Sequence, residues 1–153
     1  MNIQNRNLLG LIFKFILVLV LLAASQPPLI PWYTRLLAFG ISWIYANAEL
    51  QLGTDLLHIC QGPLCADFHT TSMISNSLLV VALLLVSPGL SLAHRMLSLA
   101  IALVAQLAYH LTDITLSFQA TYLAVIHQQQ GLYRFVNLLG GLIEKAFPIL
   151  LWA

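Results

Sequence analysis

Four long, mainly apolar stretches separated by short polar ones organise this chain. They run from Leu8 to Ala24, broken only by Lys14; from Ser72 to Val86, closed by Pro88-Gly89; from Met96 to Phe118; and from Leu132 to Trp152. None alternates apolar and polar residues as a half-buried strand does, and each is long enough to be helical. A hydrocarbon core about 30 Å thick takes roughly 20 residues at about 1.5 Å per residue. The pattern predicts an all-α fold, with residues 1–153 forming a single transmembrane domain. This would be an integral membrane helical bundle with about four transmembrane helices, at 8–24, 72–88, 96–118 and 132–152.

A further apolar stretch, 32–48, follows Pro27, Pro28 and Pro31. Its uninterrupted run after Arg35 is short for a crossing. Trp32, Tyr33, Trp43 and Tyr45 are side chains that favour the membrane–water boundary. The expectation is an outer-face interfacial or re-entrant helix, with the prolines turning the chain back after the first span.

Composition agrees with a membrane protein. The chain is 60% apolar and 7% charged, with a mean hydropathy of +0.90, where soluble domains hold about 25% charged residues. Six Lys/Arg and five Asp/Glu cannot coat a water-soluble globule of this size. That excludes a cytosolic enzyme and a disordered chain, and the net charge of +1 provides no field for nucleic acid. The lipid bilayer is the first partner. With the N-terminus inside, Arg6, Lys14, Arg95 and Lys145 fall on or toward the cytoplasmic side, and Arg35 and Arg134 fall outside. Both termini are then cytoplasmic in a multi-pass cell-membrane protein, and the compact loops point to a bacterial inner membrane. The run ending Ala23-Ala24-Ser25 also has the form of a cleavable signal, but Lys14 within it suits a retained, snorkelling anchor better.

Two polar regions, 47–71 and 119–131, lie outside in this orientation. The first contains Cys60-Gln-Gly-Pro-Leu-Cys65, where Gly62-Pro63 allows a tight turn that brings the sulfurs together. In an oxidising compartment the pair forms a structural disulfide. A redox-active pair is an alternative, although such proteins use a second cysteine pair or a quinone to pass electrons onward. A zinc site is another, since His58, Cys60, Cys65 and His69 offer two nitrogens and two sulfurs.

The third span carries a polar stripe of Gln106, His110, Asp113 and Ser117 at three- and four-residue steps. These side chains should face protein or water rather than lipid. They form either a packing face or a proton-handling pair, with Asp113 one turn from His110. In the fourth span, Arg134 lies near the outer end and Glu144 near mid-membrane, where an unpaired charge is costly, and Gly140-Gly141 permits close helix approach. Gln106, His110, Asp113, Arg134 and Glu144 thus form a candidate intramembrane polar cluster, and the third and fourth spans the expected contact with a partner protein or a second copy. The polar run His69 to Ser77 would join His110, Asp113 and Arg134 in lining an outward pocket. No cofactor is expected: His94 and His110 lie too far apart along one helix to share a haem iron. No catalytic signature assigns a reaction to this pocket.

The run Asn76-Ser77-Leu78 to Pro88-Gly89-Leu90-Ser91, the basic turn His94-Arg95 and the closing Phe147-Pro148-Ile149-Leu150-Leu151-Trp152 resemble the exosortase/archaeosortase group. The similarity is in particular to the small membrane proteins associated with an exosortase. Exosortases resemble cysteine transpeptidases, with a Cys at an outer span end and later an Arg and a His. The matching segment here, Thr70-Thr71-Ser72-Met73-Ile74-Ser75, has no cysteine, and no Arg followed by His occupies the outer span ends. The resemblance therefore implies a non-catalytic accessory subunit of an envelope protein-sorting or export system, with no catalytic residue. The alternatives are a membrane cysteine transpeptidase or peptidase relative using Cys65 with His110 or His69, and a small proton-coupled transport subunit using Gln106, His110, Asp113 and Glu144.

Overall fold

A computed structural model describes the backbone of residues 3–89, 91–126 and 130–152, with side chains at 8–89, 91–126, 130, 131, 133–143 and 146. The order of elements is α1 (Ile3–Ile44), β1 (Glu49–Leu52), β2 (Leu56–Gln61), β3 (Leu64–His69), α2 (Thr70–Val86), α3 (Leu92–Ile126) and α4 (Gln130–Trp152).

The all-α expectation is corrected by the three strands, which form one antiparallel sheet in the order β1-β2-β3. They fall in the region read from sequence as a polar outer loop. Leu50, Leu57, Ile59, Leu64, Ala66 and Phe68 point to one face, where Leu57 and Ile59 are fully buried. Glu49, Gln51, His58, Cys60, Cys65, Asp67 and His69 alternate with them and point to the other. An alternating strand needs an apolar surface beneath it, and the helix ends provide one.

The expected separate helix at 32–48 is also corrected: α1 runs unbroken through Pro27, Pro28 and Pro31 to Ile44. Each proline removes one i→i−4 donor, which disfavours a helix in water. The helix that contains them is long and apolar enough to cross a membrane, and in an apolar medium its remaining backbone groups would have no competing partner. The neighbouring helix holds this segment: the Gln26 amide donates to the Thr71 carbonyl (3.2 Å) and to Ser75 Oγ (3.0 Å).

The span count is the third correction. Among the described residues two helical segments are long and apolar enough to cross a membrane, Leu8–Ile44 and Leu92–Ile126, in place of about four. The expected 72–88 span ends at Val86 as a helix of 17 residues, about 25 Å at 1.5 Å per residue and short of the hydrocarbon thickness. The expected 132–152 span lies in α4, where several residues fall outside the described set. The third expected span is longer than predicted and absorbs much of the 119–131 polar region.

α1 and α3 overhang α2, and the sheet sits on the overhang. Its apolar face covers Leu37, Ala38, Ile41 and Tyr45 of α1, Ile114 and Phe118 of α3 and Met73 of α2, all buried. Gly40 lets α3 approach, because a Cβ there would stand 2.7 Å from Leu111 Cδ2. At the far end the core among the described residues is small, made of Val80, Leu84 and Ala102. Arg95 ties down that end of α2 by donating to the carbonyls of Leu85 (2.7 Å) and Ser87 (2.9 Å), which a helix C-terminus otherwise leaves unpaired.

Candidate functional site

Two polar centres emerge, one on the outward face of the sheet and one between the helices. The first is built by the β2–β3 hairpin. Gly62 takes φ +60°, the left-handed conformation that a two-residue hairpin loop requires at its first position. With Gln61 opposite Leu64, the register sets Cys60 against Cys65 and His58 against Asp67. Cys60 and Cys65 form a disulfide, with Cα atoms 4.1 Å apart. His58 bridges the two pairs: Nδ1 is bonded to the Asp67 carboxylate and Nε2 stands 3.1 Å from Cys60 Sγ. Cys65 is exposed, and His58 and Cys60 are half-buried.

The four-ligand zinc arrangement does not come together. His58, Cys60 and Cys65 cluster, whereas His69 lies exposed at the end of β3, opposite Leu56, where it caps α2. With the sulfurs joined, neither is the thiolate that zinc binds.

The second centre lies where α1, α2 and α3 meet. The Tyr33 hydroxyl and His110 Nδ1 share a hydrogen bond of 2.5 Å. Thr34 Oγ1 donates to the Ile30 carbonyl (2.9 Å), so Thr70 supplies the hydrogen for the 2.8 Å bond between the two threonine hydroxyls. Thr34, Thr70, Gln106 and His110 are all essentially inaccessible. His110 Nε2 and Gln106 Oε1, one turn apart on α3, meet no hydrogen-bond partner among the described residues. A crevice of about 210 Å³ lies beside Tyr33 and Ser77, walled by Leu29, Trp32, Ile74 and Leu103.

The predicted intramembrane cluster is thus divided. Gln106 and His110 face inward. Asp113 turns toward α4, where its Oδ1 would stand 3.1 Å from a Cβ added at Gly140. Arg134 is exposed near the start of α4, and the side chains of Glu144 and Lys145 lie outside the described residues. The expected outward pocket joining His69–Ser77 to Asp113 and Arg134 is not assembled: Thr70 and Ser77 are buried in helix packing and Arg134 is on the surface.

Tyr33, Thr34 and Asp67 are the contributors that sequence reasoning missed. Asp67 was accessible in principle, since it and His58 are equidistant from the Gly62-Pro63 turn, as are Cys60 and Cys65. Tyr33 had no such signal, because its partner is 77 residues away. No family model, no curated protein and no solved structure matches this chain.

Proposed function

We propose that this chain is a membrane-embedded, non-catalytic accessory subunit of an envelope protein-sorting or export system, of the kind associated with exosortases. The observation that carries this reading is on α4. Gly141 has no atom within 4 Å of a Cβ placed on it, and it sits among exposed Leu138, Leu139 and Leu142. A small residue inside an open apolar face suits close approach of a further transmembrane helix. The partner is a membrane protein or a second copy, docking along α3 and α4.

The chemistry elsewhere supports a structural role. Tyr33, Thr34, Thr70 and His110 bond one another across helix seams, and a disulfide-bonded Cys65 is no nucleophile for a transpeptidase. The reading places the sheet on the oxidising, extracytoplasmic side of the cell membrane. Arg35 and Arg134 lie toward the sheet, while Arg6, Lys14, Arg95 and Lys145 lie toward the opposite, cytoplasmic end. Both termini share that end.

The test is copurification from native membranes. Gly141→Leu, and separately Glu144→Gln, should reduce the yield of the complex without lowering the unfolding temperature of the isolated subunit. Full complex yield with both variants would overturn the reading. The transport alternative draws on the partnerless His110 Nε2 and Gln106 Oε1. It would gain if complex yield held while His110→Leu abolished proton flux in liposomes.

A further inference from the structure

The hairpin that carries the disulfide also carries what is needed to open it. On the water-facing side of the sheet, Asp67 holds His58 by Nδ1, and Nε2 of the same ring is 3.1 Å from one sulfur of the disulfide, with no other hydrogen-bond partner among the described residues. The other sulfur, Cys65, is exposed. The two sulfurs are therefore unlike: Cys65 Sγ belongs to an exposed residue, whereas Cys60 is half-buried with the His58 ring beside its sulfur. We infer that the Cys60–Cys65 hairpin is a thiol–disulfide exchange site, in which Cys65 Sγ is attacked, Cys60 is the leaving group, His58 protonates it and Asp67 positions His58. The reading is independent of the assembly role proposed for α4.

The step balances without a cofactor. A cysteine thiolate of another protein chain, reaching the exposed sheet, forms a bond to Cys65 Sγ as the Cys60–Cys65 bond breaks. The bonding pair leaves on Cys60 Sγ, which takes a proton from the Nε2–H of the His58 imidazolium. A second thiolate of the same partner then attacks the partner's own sulfur in the mixed disulfide and expels Cys65 as a thiolate. The partner's two thiols become a disulfide, and the two electrons reside on Cys60 and Cys65.

The asymmetry follows from elementary exchange chemistry. Rates depend on access to the attacked sulfur and on stabilisation of the departing one. The imidazolium donates from both nitrogens at once, to the Asp67 carboxylate and to sulfur, which is the way a carboxylate supports a working histidine. The other titratable groups on this face are Glu49, which the register places opposite Cys60, and His69, two residues beyond Asp67. Their charges modulate the centre but neither is in its hydrogen-bond chain.

The experiment uses the full chain in nanodiscs with reduced glutathione as the probe. Mass mapping of the first mixed disulfide should find glutathione on Cys65. In His58→Gln the exchange rate, normalised to glutathione thiolate, should drop about tenfold. This is below the usual span for general acids because a thiolate is already a competent leaving group. Asp67→Asn should slow exchange less, and Asp67→Glu should restore it. All three variants are first checked for a disulfide that forms fully in air, so that misfolded hairpins are excluded. Glutathione on Cys60, or a His58→Gln rate within twofold of the parent, would overturn the inference.

Discussion

The two ends of this molecule bury their apolar residues by opposite rules. Beneath the sheet, side chains from α1, α2, α3, β2 and β3 converge, and Leu37, Ile41, Leu57, Ile59, Ile114 and Phe118 lose all contact with solvent. At the other end the enclosed core is Val80, Leu84 and Ala102, while Leu9, Phe13, Val20 and Leu21 of α1 and Leu97, Ile101 and Val104 of α3 face outward. The sheet end encloses a convergent core as a water-soluble domain does, while Phe39, Trp43 and Ile44 of α1 and Leu116 of α3 stay exposed around it. The far end turns most of its apolar side chains outward, on two helices long and apolar enough to cross a membrane. Where such a surface meets lipid, burial brings little gain and cohesion falls to close packing and polar pairs. The chain thus carries a small packed cap on the ends of its long helices.

The contrast predicts unequal penalties for equivalent truncations. Phe118→Ala removes a fully buried ring that packs edge-on against Tyr45 at 5.3 Å, and should cost about 3–5 kcal/mol. Leu84→Ala, in the far core, should cost about 2 kcal/mol or less, because lipid tails can fill the space that water cannot. Unfolding followed by intrinsic fluorescence in nanodiscs measures both. Equal losses would mean that the far end has a core of its own, and the comparison would fail.

Removing the disulfide tests whether the cap is a separate cooperative unit. The loop it closes is short, with a sequence separation of 5, so Cys60→Ser with Cys65→Ser should cost about 2 kcal/mol. The loss should appear as faster amide hydrogen exchange across 56–69, with α2 and the first half of α3 unaffected. Uniform acceleration through the helices would show one cooperative body instead of two regions.

This division explains what the sequence disclosed. Apolar runs such as Leu8–Ala24 and Met96–Phe118 announce helices because their length alone is informative. The sheet was hidden in strands of four to six residues, each with only two or three inward positions, embedded among residues that read as a polar loop. The Gly62-Pro63 turn and the paired cysteines were visible, and following their symmetry outward gives His58 opposite Asp67. The prolines misled for a physical reason: their helix-breaking propensities are those of water, and here they lie in a long apolar helix held by its neighbour through Gln26. The stripe on α3 includes Gln106 and His110, which are buried, but only the tertiary fold selects Tyr33 as a partner of His110.

Within the helical region, polar pairs should contribute measurably but modestly. Tyr33→Phe deletes the hydroxyl that is hydrogen-bonded to His110 Nδ1 while retaining the ring, and should cost about 1 kcal/mol. A double-mutant cycle with His110→Leu should return a coupling of about 0.6 kcal/mol, with about 1.7 as the ceiling seen for hydrogen bonds inside membranes. A coupling of several kcal/mol would make this pair, rather than the sheet core, the main stabilising feature of the molecule.

The finest test of the contrast compares two neighbouring glycines on α4. A Cβ at Gly140 would stand 3.1 Å from Asp113 Oδ1, inside the α3–α4 seam, whereas one at Gly141 meets nothing within 4 Å. Replacing an open helical glycine by alanine gains about 1 kcal/mol of helix propensity. Gly141→Ala should therefore stabilise the isolated subunit by up to that amount. Gly140→Ala gains the same propensity but obliges Asp113 to move, so its net effect should be near zero or slightly destabilising. Placing the two changes in Asp113→Ala should equalise them, because the crowding atom is then gone. If Gly140→Ala and Gly141→Ala already agree in the parent chain, the α3–α4 seam is looser than the geometry describes, and the apolar end is held by lipid more than by its own helix contacts.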